Sequence, residues 1–328
     1  MPNPANREFV FDLASYARRG PGHRDRLAPA QVEQIKRTVD RVPEVMVKVL
    51  SRGATTVSAV RRHVDYIDRK GEVPLETDDG VVLGRDAGLK AIEDWGLDVD
   101  EYRSTPRLQA RAAPTPPRLV HKLMFSMPPG TPPQKVLVAV QRFCREEFAS
   151  QHRYLMALHT DEPHPHVHVV VKAISERGER LNIRNDTLRR WRAAFAQQLR
   201  DAGVPANATS RFARGITKPQ KSDGIYRAAS RGDSTHLRVR RQAVAQNLER
   251  RSGLRDEQVK LNLIASRTLL QRLWGDVADT FTQHGRPDIS TRIMSFVRQM
   301  PPPDTEQALI ARELIRSRAV QARDGPAR

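Results

Sequence analysis

The chain has 328 residues, and its 56 Lys and Arg against 38 Asp and Glu give a formal net charge of +18 and a pI of about 10.8. So basic a composition is typical of proteins that bind a polyanion, most often nucleic acid. The single cysteine, Cys144, excludes a disulfide within the chain and a cysteine-based zinc site. No apolar run approaches the roughly 20 residues of a membrane span, and residues 1–20 lack the apolar core of a signal peptide. We therefore expect a cytoplasmic protein with no membrane span.

The first third of the chain predicts a helix, a strand and a second helix. Residues 1–27 are polar, with scattered Pro, Gly and Arg, and predict a flexible N-terminal arm. Residues 29–42 have helical character, and the alternation of apolar residues over 44–50 predicts a strand. From about 55 to 70, apolar residues form one helical stripe, and Gly71 suits a left-handed helix end.

The middle of the chain predicts further strands and helices separated by turns. Asp78–Gly80 predicts a hairpin turn before a strand at 81–83, and Trp95 belongs to a predicted short helix. Residues 103–118 are rich in Pro and Arg and predict a loop or linker. The remaining strands are predicted at 119–127, 154–159, 166–173 and 181–183, and two helices are predicted to open at Thr131 and Asn185.

From about residue 206 the chain becomes Arg-rich and helix-forming. Helical segments are predicted around 236–250, 256–276 and 304–320. The whole pattern predicts an α/β (α+β) fold, in which a central antiparallel sheet is flanked by helices and followed by a mostly helical C-terminal region. The centre of the sheet is expected to be antiparallel because the chain turns back tightly after His159. We divide the chain into a domain at 28–220 and a basic helical region at 221–328.

A histidine cluster is the most informative segment, since four of the ten histidines lie within ten residues. His166 and His168 alternate along a strand and share a face, and the tight turn places His159 opposite them. Three neutral imidazoles bind a divalent cation and leave coordination positions open, as catalytic sites require. Asp161 is placed to orient a ligand histidine, and His164 is expected to be exposed or to contact substrate.

A three-histidine site has more than one possible use. Metal-bound water can act as the nucleophile of a hydrolase, or the metal can polarise a phosphate for attack by a side chain. The alternative without chemistry is a set of surface histidines that bind no metal. The net charge favours a phosphate substrate, and the choice between the two reactions depends on finding a nucleophile.

Tyr66 is the candidate nucleophile, at the end of the predicted helix 55–70. Basic residues surround it in the sequence. These residues are Arg61, Arg62, Arg69 and Lys70. Taken alone, Tyr66 is more typical of a residue at the edge of the core whose hydroxyl reaches water.

Together these segments resemble the relaxase/mobilisation-nuclease family, which includes the T-DNA border-nicking enzymes. The most specific motif is His-x-Asp-x-x-His-Pro-His-x-His, matched from His159 to His168. Weaker motifs precede and follow it in the family order. They are Arg52-Gly53, Tyr66–Gly71, Ser126–Thr131 and residues 208–211. One departure is Lys172, where close relatives often have Asn.

The resemblance implies the fold called the His-hydrophobic-His endonuclease fold, a compact α/β domain around an antiparallel sheet. It implies that Tyr66 attacks a DNA phosphate, forms a 5′-phosphotyrosyl bond and frees a 3′-hydroxyl. His159, His166 and His168 would hold Mg²⁺ or Mn²⁺ at the scissile phosphate. Asp161 or a water molecule would take the tyrosine proton.

The same resemblance implies the DNA contacts and the partners. Ser126 is expected to contact the DNA backbone near the nick, and Arg52, Arg69 and Lys70 are expected to contact phosphates. The target would be single-stranded or locally melted transfer-origin DNA. The region from about 230 would bind DNA, accessory relaxosome proteins or a type IV secretion coupling protein, and the protein would be exported with its DNA to a recipient cell. The alternative for this region is a plain helical bundle with a solvated basic face.

Three other functions stay open at this point. A rolling-circle replication initiator or transposase of the same superfamily would use the same chemistry, but those proteins place the tyrosine after the histidines. A non-catalytic DNA-binding protein would use the histidines for a structural metal. A metal-dependent phosphodiesterase would use bound water and would leave no protein on the DNA.

Overall fold

The computed structural model describes most of the chain, and its contacts divide the described residues into two compact units. The described residues are 13, 27–50, 54–84, 87–110, 117–149, 151–216, 228–229, 231–249 and 257–323. Residues 28–208 form the first unit, and residues 209–323 with residues 13 and 27 belong to the second. The predicted N-terminal arm lies outside the described residues except for Leu13, which is helical and buried, and Leu27. The predicted domain boundary near 220 also lies outside them.

A six-stranded antiparallel sheet forms the centre of the first unit, which confirms the predicted fold class. The strands are β1 (Met46–Val49), β2 (Leu75–Thr77), β3 (Val82–Leu83), β4 (Val120–Ser126), β5 (Tyr154–His159) and β6 (His166–Lys172). Their order is β1-β4-β6-β5-β2-β3, and every neighbouring pair is antiparallel. The short turn between β5 and β6 makes them adjacent, because only antiparallel strands can be joined so tightly.

Six α-helices accompany the sheet within the described part of the first unit. They are α1 (Pro29–Val39), α2 (Val57–Ile67), α3 (Ala87–Ala91), α4 (Leu97–Ala110), α5 (Pro133–Glu147) and α6 (Asn185–Asp201). One 3₁₀ turn, Glu93–Trp95, lies between α3 and α4. Pro133 at the start of α5 suits a first helical turn, where its missing N–H costs no hydrogen bond.

The two faces of the sheet carry separate cores because successive strand residues point to opposite sides. On one face, α5 and α6 pack on the sheet through aromatic contacts of Phe125 with Phe143 and Phe195 at 4.9 and 5.2 Å. On the other face, α2 packs through its apolar stripe onto strand residues that include Val170. Truncating one of the buried phenylalanines on the first face to Ala typically costs about 3–5 kcal/mol, so their contacts contribute strongly to the stability of that core.

Two local predictions were wrong. Residues 103–110 are not a loop but the second half of α4, since that helix starts upstream at buried Leu97 and carries Asp98 and Asp100 in its first turn. Residues 111–116 of the same predicted loop lie outside the described residues. Residues 181–183 are not a strand, because the only ladder contact nearby in the described residues is one bridge between Ile174 and Arg180.

The second unit is helical, as predicted for the C-terminal region. Its helices in the described residues are α7 (Thr235–Glu249), α8 (Glu257–Gln283), α9 (Pro287–Arg298) and α10 (Glu306–Arg323). Trp274 is fully buried, and its indole N–H donates to the carbonyl of Ala213 at 2.8 Å. Within the described part of the chain, no helix is both long and apolar enough to cross a bilayer.

Candidate active site

Three histidine side chains converge on the face of the sheet that α2 covers. His166 and His168 alternate on β6, and His159 lies directly opposite His166 on β5. One ring nitrogen from each histidine lies within 4.8 Å of the others, and all three residues are at most 5% exposed. The structure therefore brings together the three histidines that the spacing predicted.

Backbone carbonyls orient two of the three imidazoles. His159 Nε2 lies 2.6 Å from the carbonyl oxygen of Ile67, and His166 Nδ1 lies 3.0 Å from that of His164. Because a carbonyl oxygen only accepts, each of these ring nitrogens carries the proton, and the other nitrogen of each ring is left with its lone pair. This is the arrangement by which metal-ligating histidines are usually held.

The third histidine shows that the cluster fits a metal ion. His168 is buried, and its Nδ1 has no hydrogen-bond partner among the described residues. Burial, and then the charges of His159 and His166, lower the pKa of His168 to about 2. Burial also lowers the pKa of His159, although its bond to Ile67 opposes that shift. Neutral imidazoles are the form that binds a divalent cation.

Tyr66 lies beside this cluster and is open to solvent. The buried stripe of α2 turns Tyr66 to the edge of the helix, where 43% of the residue is exposed. Its ring centroid lies 5.9 Å from that of His168, edge to face. The bond from His159 to Ile67 ties the cluster to the end of the same helix. The phenol therefore stands at the entrance to the three histidines.

A left-handed turn after α2 directs Arg69 back toward the site. Arg69, Lys70 and Gly71 have φ angles of 53°, 58° and 85°, a run that L-residues seldom adopt. The guanidinium of Arg69 lies 5.1 Å from the centre of the Tyr66 ring, within the range of a cation–π contact. Residues held in such conformations are common at functional sites, where surrounding contacts offset the backbone strain.

Asp161 is paired with Arg69, which separates it from His159, the nearest histidine of the cluster. Arg69 Nη2 donates to Asp161 Oδ2 at 2.6 Å and lies 3.3 Å from His159 Nδ1, so the guanidinium stands between carboxylate and imidazole. Burial acts to raise the pKa of Asp161, but the Arg69 charge and the hydrogen bonds outweigh it and the pKa is lowered. Asp161 is thus an ionised carboxylate at the rim of the site.

The remaining predicted residues take different positions. Ser126 is buried on β4 opposite His166, on the same face of the sheet as the three histidines. Lys70 is exposed beside Arg69. Arg52 lies outside the described residues. His164 is half-buried, and its backbone carbonyl, not its side chain, contacts His166.

Sequence reasoning missed His63 beside Tyr66. His63 is buried, and its ring centroid lies 5.9 Å from Tyr66 and 6.2 Å from His168. Burial, followed by the charges of Lys122 and His159, lowers the pKa of His63 to about 4. The available signal was its position three residues before Tyr66, since such residues share one face of a helix.

Lys122 was also missed, and it adds a positive charge to the same face. It lies two residues from Met124 on β4, and Met124 pairs with His168. Burial lowers the pKa of Lys122, and the charge of Arg62 lowers it further. Within the described part of the chain, no carboxylate pairs with Lys122. Alternation with Ser126 along β4 was the signal that could have placed it here.

The comparison with protein families agrees with this geometry. Residues 83–204 match the family described as "Relaxase: MobA/VirD2-like, nuclease domain". The match includes Ser126 and the three histidines, whereas Tyr66 precedes it.

Individual proteins that are similar in sequence to the chain agree with this family match. The chain is 27% identical over 214 residues to the T-DNA border endonuclease VirD2 of Agrobacterium fabrum, which is 60% of this chain and 46% of that protein. It is 27% identical over 194 residues to VirD2 of Rhizobium radiobacter (53% and 44%), and 28% identical over 192 residues to VirD2 of Rhizobium rhizogenes (53% and 42%). Together with the domain match, these relatives support the assignment of the chain to the relaxase family. The aligned region spans less than half of the length of each relative.

Proposed function

We propose that this protein nicks one strand of DNA by transesterification, with Tyr66 as the nucleophile. The observation that carries the proposal is the solvent-open phenol of Tyr66 in ring contact with His168 of the three-histidine cluster. A hydrolase using metal-bound water needs no such phenol. The relaxase family match adds independent support for chemistry on DNA.

His159, His166 and His168 would hold a Mg²⁺ or Mn²⁺ ion. Such an ion, when bound, supplies positive charge that polarises the scissile phosphate and offsets the charge of the transition state. The backbone carbonyls of Ile67 and His164 keep two of the imidazoles in the tautomer that can bind it.

The reaction exchanges one phosphate ester for another. The Tyr66 oxygen forms a bond to phosphorus, and the bond from phosphorus to the 3′-oxygen of the preceding nucleotide breaks. The phenol proton leaves to water or to Asp161, and the departing 3′-oxygen takes up a proton and becomes a hydroxyl. The 5′-phosphotyrosyl bond keeps the phosphodiester energy, so attack by a 3′-hydroxyl rejoins the strand without ATP.

Positive side chains around Tyr66 would position the strand. Arg69 and Lys70 follow it in the left-handed turn, and Lys122 lies on the same face of the sheet. Ser126, opposite His166, would contact the backbone near the nick. We further propose that Arg52 contacts a phosphate. Binding through such contacts weakens strongly as salt rises, because each phosphate contact releases counterions.

The substrate and partners follow from the same proposal. The names of the relatives describe endonucleases that act at T-DNA borders. For this chain we propose a transfer origin that is single-stranded or locally melted, because one phosphate has to be placed at the phenol of Tyr66. We propose residues 28–220 as the nicking domain, and residues 221–328 as the contact to accessory relaxosome proteins and a secretion coupling protein.

The test is whether the protein becomes covalently attached to DNA. Labelled single-stranded oligonucleotides from the transfer origin beside the gene are incubated with the protein in Mn²⁺ or in EDTA and resolved on a denaturing gel. A metal-dependent adduct is expected, and it should disappear in Tyr66→Phe. Tyr102→Phe is the matched control, since Tyr102 is 77% exposed on α4 and should be fully active.

Other outcomes would decide against the proposal. Cleavage that leaves no protein on the DNA would favour a metal-activated water. Binding without cleavage, across origins and metals, would favour a non-catalytic DNA-binding protein. An adduct that persists in Tyr66→Phe would assign the nucleophile to another residue.

A further inference from the structure

A cleft of about 880 Å³ lies in the first unit, away from the histidine cluster. Val49 of β1 and His121 of β4 line it on one side, and residues 180–185, which lead into α6, line it on the other. His121 pairs with Val171, whereas Val170 and His168 point to the opposite face. The cleft therefore opens near the β1 edge, on the face of the sheet turned away from Tyr66.

Three arginines line this cleft, and none of them is neutralised by a described carboxylate. Arg118, Arg180 and Arg184 are exposed, and no ion pair joins them to an acid in the described residues. Arg180 Nη1 donates to the backbone carbonyl of Arg118 at 2.8 Å, which holds two of the arginines on one side. Asp186 is the acid in the first turn of α6, and it pairs with Arg189 at 3.5 Å.

The start of α6 adds to the positive potential of the cleft. Asn185 is the first residue of this 17-residue helix and lines the cleft together with Arg184, its N-cap. Unpaired backbone N–H groups and the helix dipole make such a start favourable for an anion. Phosphate oxygens are the ligands that this combination of arginines and helix terminus recognises best.

His121 adds an observation that is independent of the arginines and of the helix start, namely a buried ring nitrogen that forms no hydrogen bond with any described residue. It is only 7% exposed, and its Nε2 lies 3.1 Å from the carbonyl of Leu181, so that nitrogen carries the proton. Nδ1 is then an acceptor, and it has no partner among the described residues. Asn182 contributes an amide, and the apolar residues Leu181 and Leu188 complete the lining. A polar site with apolar walls is suited to a planar base as well as to a phosphate.

We propose that this cleft binds one nucleotide of the substrate strand, with its phosphates on Arg118, Arg180 and Arg184 and its base against Leu181 and Leu188. The proposal rests on the proposed function. His121 and Ser126 are five residues apart on β4, which at the strand rise of about 3.3 Å per residue corresponds to roughly 17 Å. These two positions lie on opposite faces of the sheet, so a DNA strand that joins them passes around the β1 edge.

The first test measures binding rather than cleavage. Fluorescence anisotropy of a labelled oligothymidylate is titrated in EDTA over a range of salt, with the whole chain and with the double variant Arg180→Gln, Arg184→Gln. We expect the affinity to fall about tenfold, and the salt slope to fall by about 0.7 for each phosphate that the variant no longer neutralises. The control is Arg177→Gln, an exposed arginine of the neighbouring turn outside the cleft, which should bind as the unmodified chain does.

The outcomes separate this proposal from the nicking reaction. If the unmodified chain binds and forms the Tyr66 adduct, but the double variant binds as Arg177→Gln does, the cleft proposal is wrong and the proposed function stands. If the unmodified chain forms the Tyr66 adduct with transfer-origin DNA but shows no salt-dependent binding of oligothymidylate, the cleft proposal is also wrong and the proposed function stands. Thermal unfolding of each variant excludes a loss of fold as the cause of weaker binding.

A second readout locates the nucleotide directly. Oligothymidylate carrying 4-thiothymidine is photocrosslinked to the whole chain, and the modified peptides are identified by mass spectrometry. Crosslinks within residues 181–188 are expected, and they should be absent in the double variant. Crosslinks confined to peptides of the Tyr66 face would overturn the proposal.

Discussion

Arg69 contacts three groups of the candidate active site at once. Its guanidinium donates to Asp161 at 2.6 Å, approaches His159 at 3.3 Å and lies over the ring of Tyr66. A charge held in this way would already be in place for a phosphate and would need no reorganisation. Its exposed ion pair contributes little to folding, which favours the proposed role of Arg69 in the reaction.

Replacing Arg69 tests that role. In Arg69→Asn the new residue tolerates a left-handed backbone, but the charge is gone. We expect the rate of Tyr66 adduct formation in single-turnover assays to fall about a hundredfold, the usual effect of removing one preorganised donor. Lys70→Asn is the matched control with the same backbone conformation, and it should lose much less. Equal losses in both variants would contradict a specific role for Arg69.

Lys122 makes a second residue-level prediction. A half-buried lysine without a described acidic partner carries a desolvation cost, and a phosphate is the partner that would offset it. Lys122→Met should weaken oligonucleotide binding and lower its salt slope by about 0.7. Its free energy of unfolding in urea should be unchanged or higher. Lys135→Met removes the same charge at an exposed position of α5 and should leave the salt slope unchanged. An equal decrease of the slope in both variants would show that net charge alone causes it.

Among the elements, α2 and its following turn connect the tyrosine to the three-histidine cluster. The apolar stripe of α2 fixes the helix on the sheet, and the carbonyl of Ile67 at its end accepts from His159. The turn then reverses the chain through Arg69, Lys70 and Gly71, all with positive φ. Local backbone strain is therefore concentrated beside the candidate nucleophile.

That strain can be measured at Lys70. An L-residue in the left-handed region costs roughly 1–2 kcal/mol, and replacing it with glycine removes this strain. Unfolded glycine has greater conformational freedom, which offsets about 0.5–1 kcal/mol of the stability gained. Lys70→Gly should therefore raise the free energy of unfolding by about 0.5–1 kcal/mol. Gly71→Ala, at φ 85°, should lower it by a similar amount. Urea denaturation at fixed pH checks both, and a destabilised Lys70→Gly would show that the turn is not strained.

On β4, His121 predicts how stability depends on pH. Burial lowers the pKa of His121 to about 4, although its bond to Leu181 opposes the shift, whereas an unfolded histidine titrates near 6.5. Between these two pKa values the unfolded chain binds a proton that the folded chain does not. The contribution of His121 to the free energy of unfolding is therefore fully present above pH 6.5 and is lost as the pH falls toward 4. The loss is on the order of 1–3 kcal/mol, and urea unfolding at several pH values should show a smaller loss in His121→Gln. An identical pH profile in that variant would exclude this histidine as the cause.

For the molecule as a whole, the formal charge of +18 and the three-histidine cluster affect different properties. The charge favours association with any polyanion and is screened by salt. The three-histidine cluster exists only when β5 and β6 are paired, since only the sheet brings the three histidines together. If the cluster binds the proposed ion, the ion should therefore stabilise the folded state.

Metal-linked stability is a test that does not depend on activity. Binding to the folded state alone adds RT ln(1 + [L]/Kd), about 2.7 kcal/mol when Mn²⁺ is at a hundredfold excess over its Kd. The unfolding midpoint should rise with Mn²⁺ and return to its initial value with EDTA. This shift should vanish in His168→Gln and persist in His164→Gln, a histidine of the same segment outside the cluster. A shift that survives in His168→Gln would place the ion elsewhere.

The sequence predicted those features that depend on short-range geometry. The two-residue period of β6 and the tight turn after His159 fixed three imidazoles on one face, and the helical stripe of α2 placed Tyr66 at its edge. The central antiparallel sheet and the helical C-terminal region followed from the same local patterns. Local periodicity is visible in one sequence because it depends only on neighbouring residues.

Tertiary structure decided the features that depend on residues far apart in the chain. Arg69 and Asp161 are 92 positions apart, and no local pattern predicts that they pair in front of His159. The desolvation of Lys122 and the cleft between β4 and residues 180–185 likewise arise only when separate elements pack together. Burial and partner choice are properties of the packed molecule, because each depends on which distant side chains exclude water from a group.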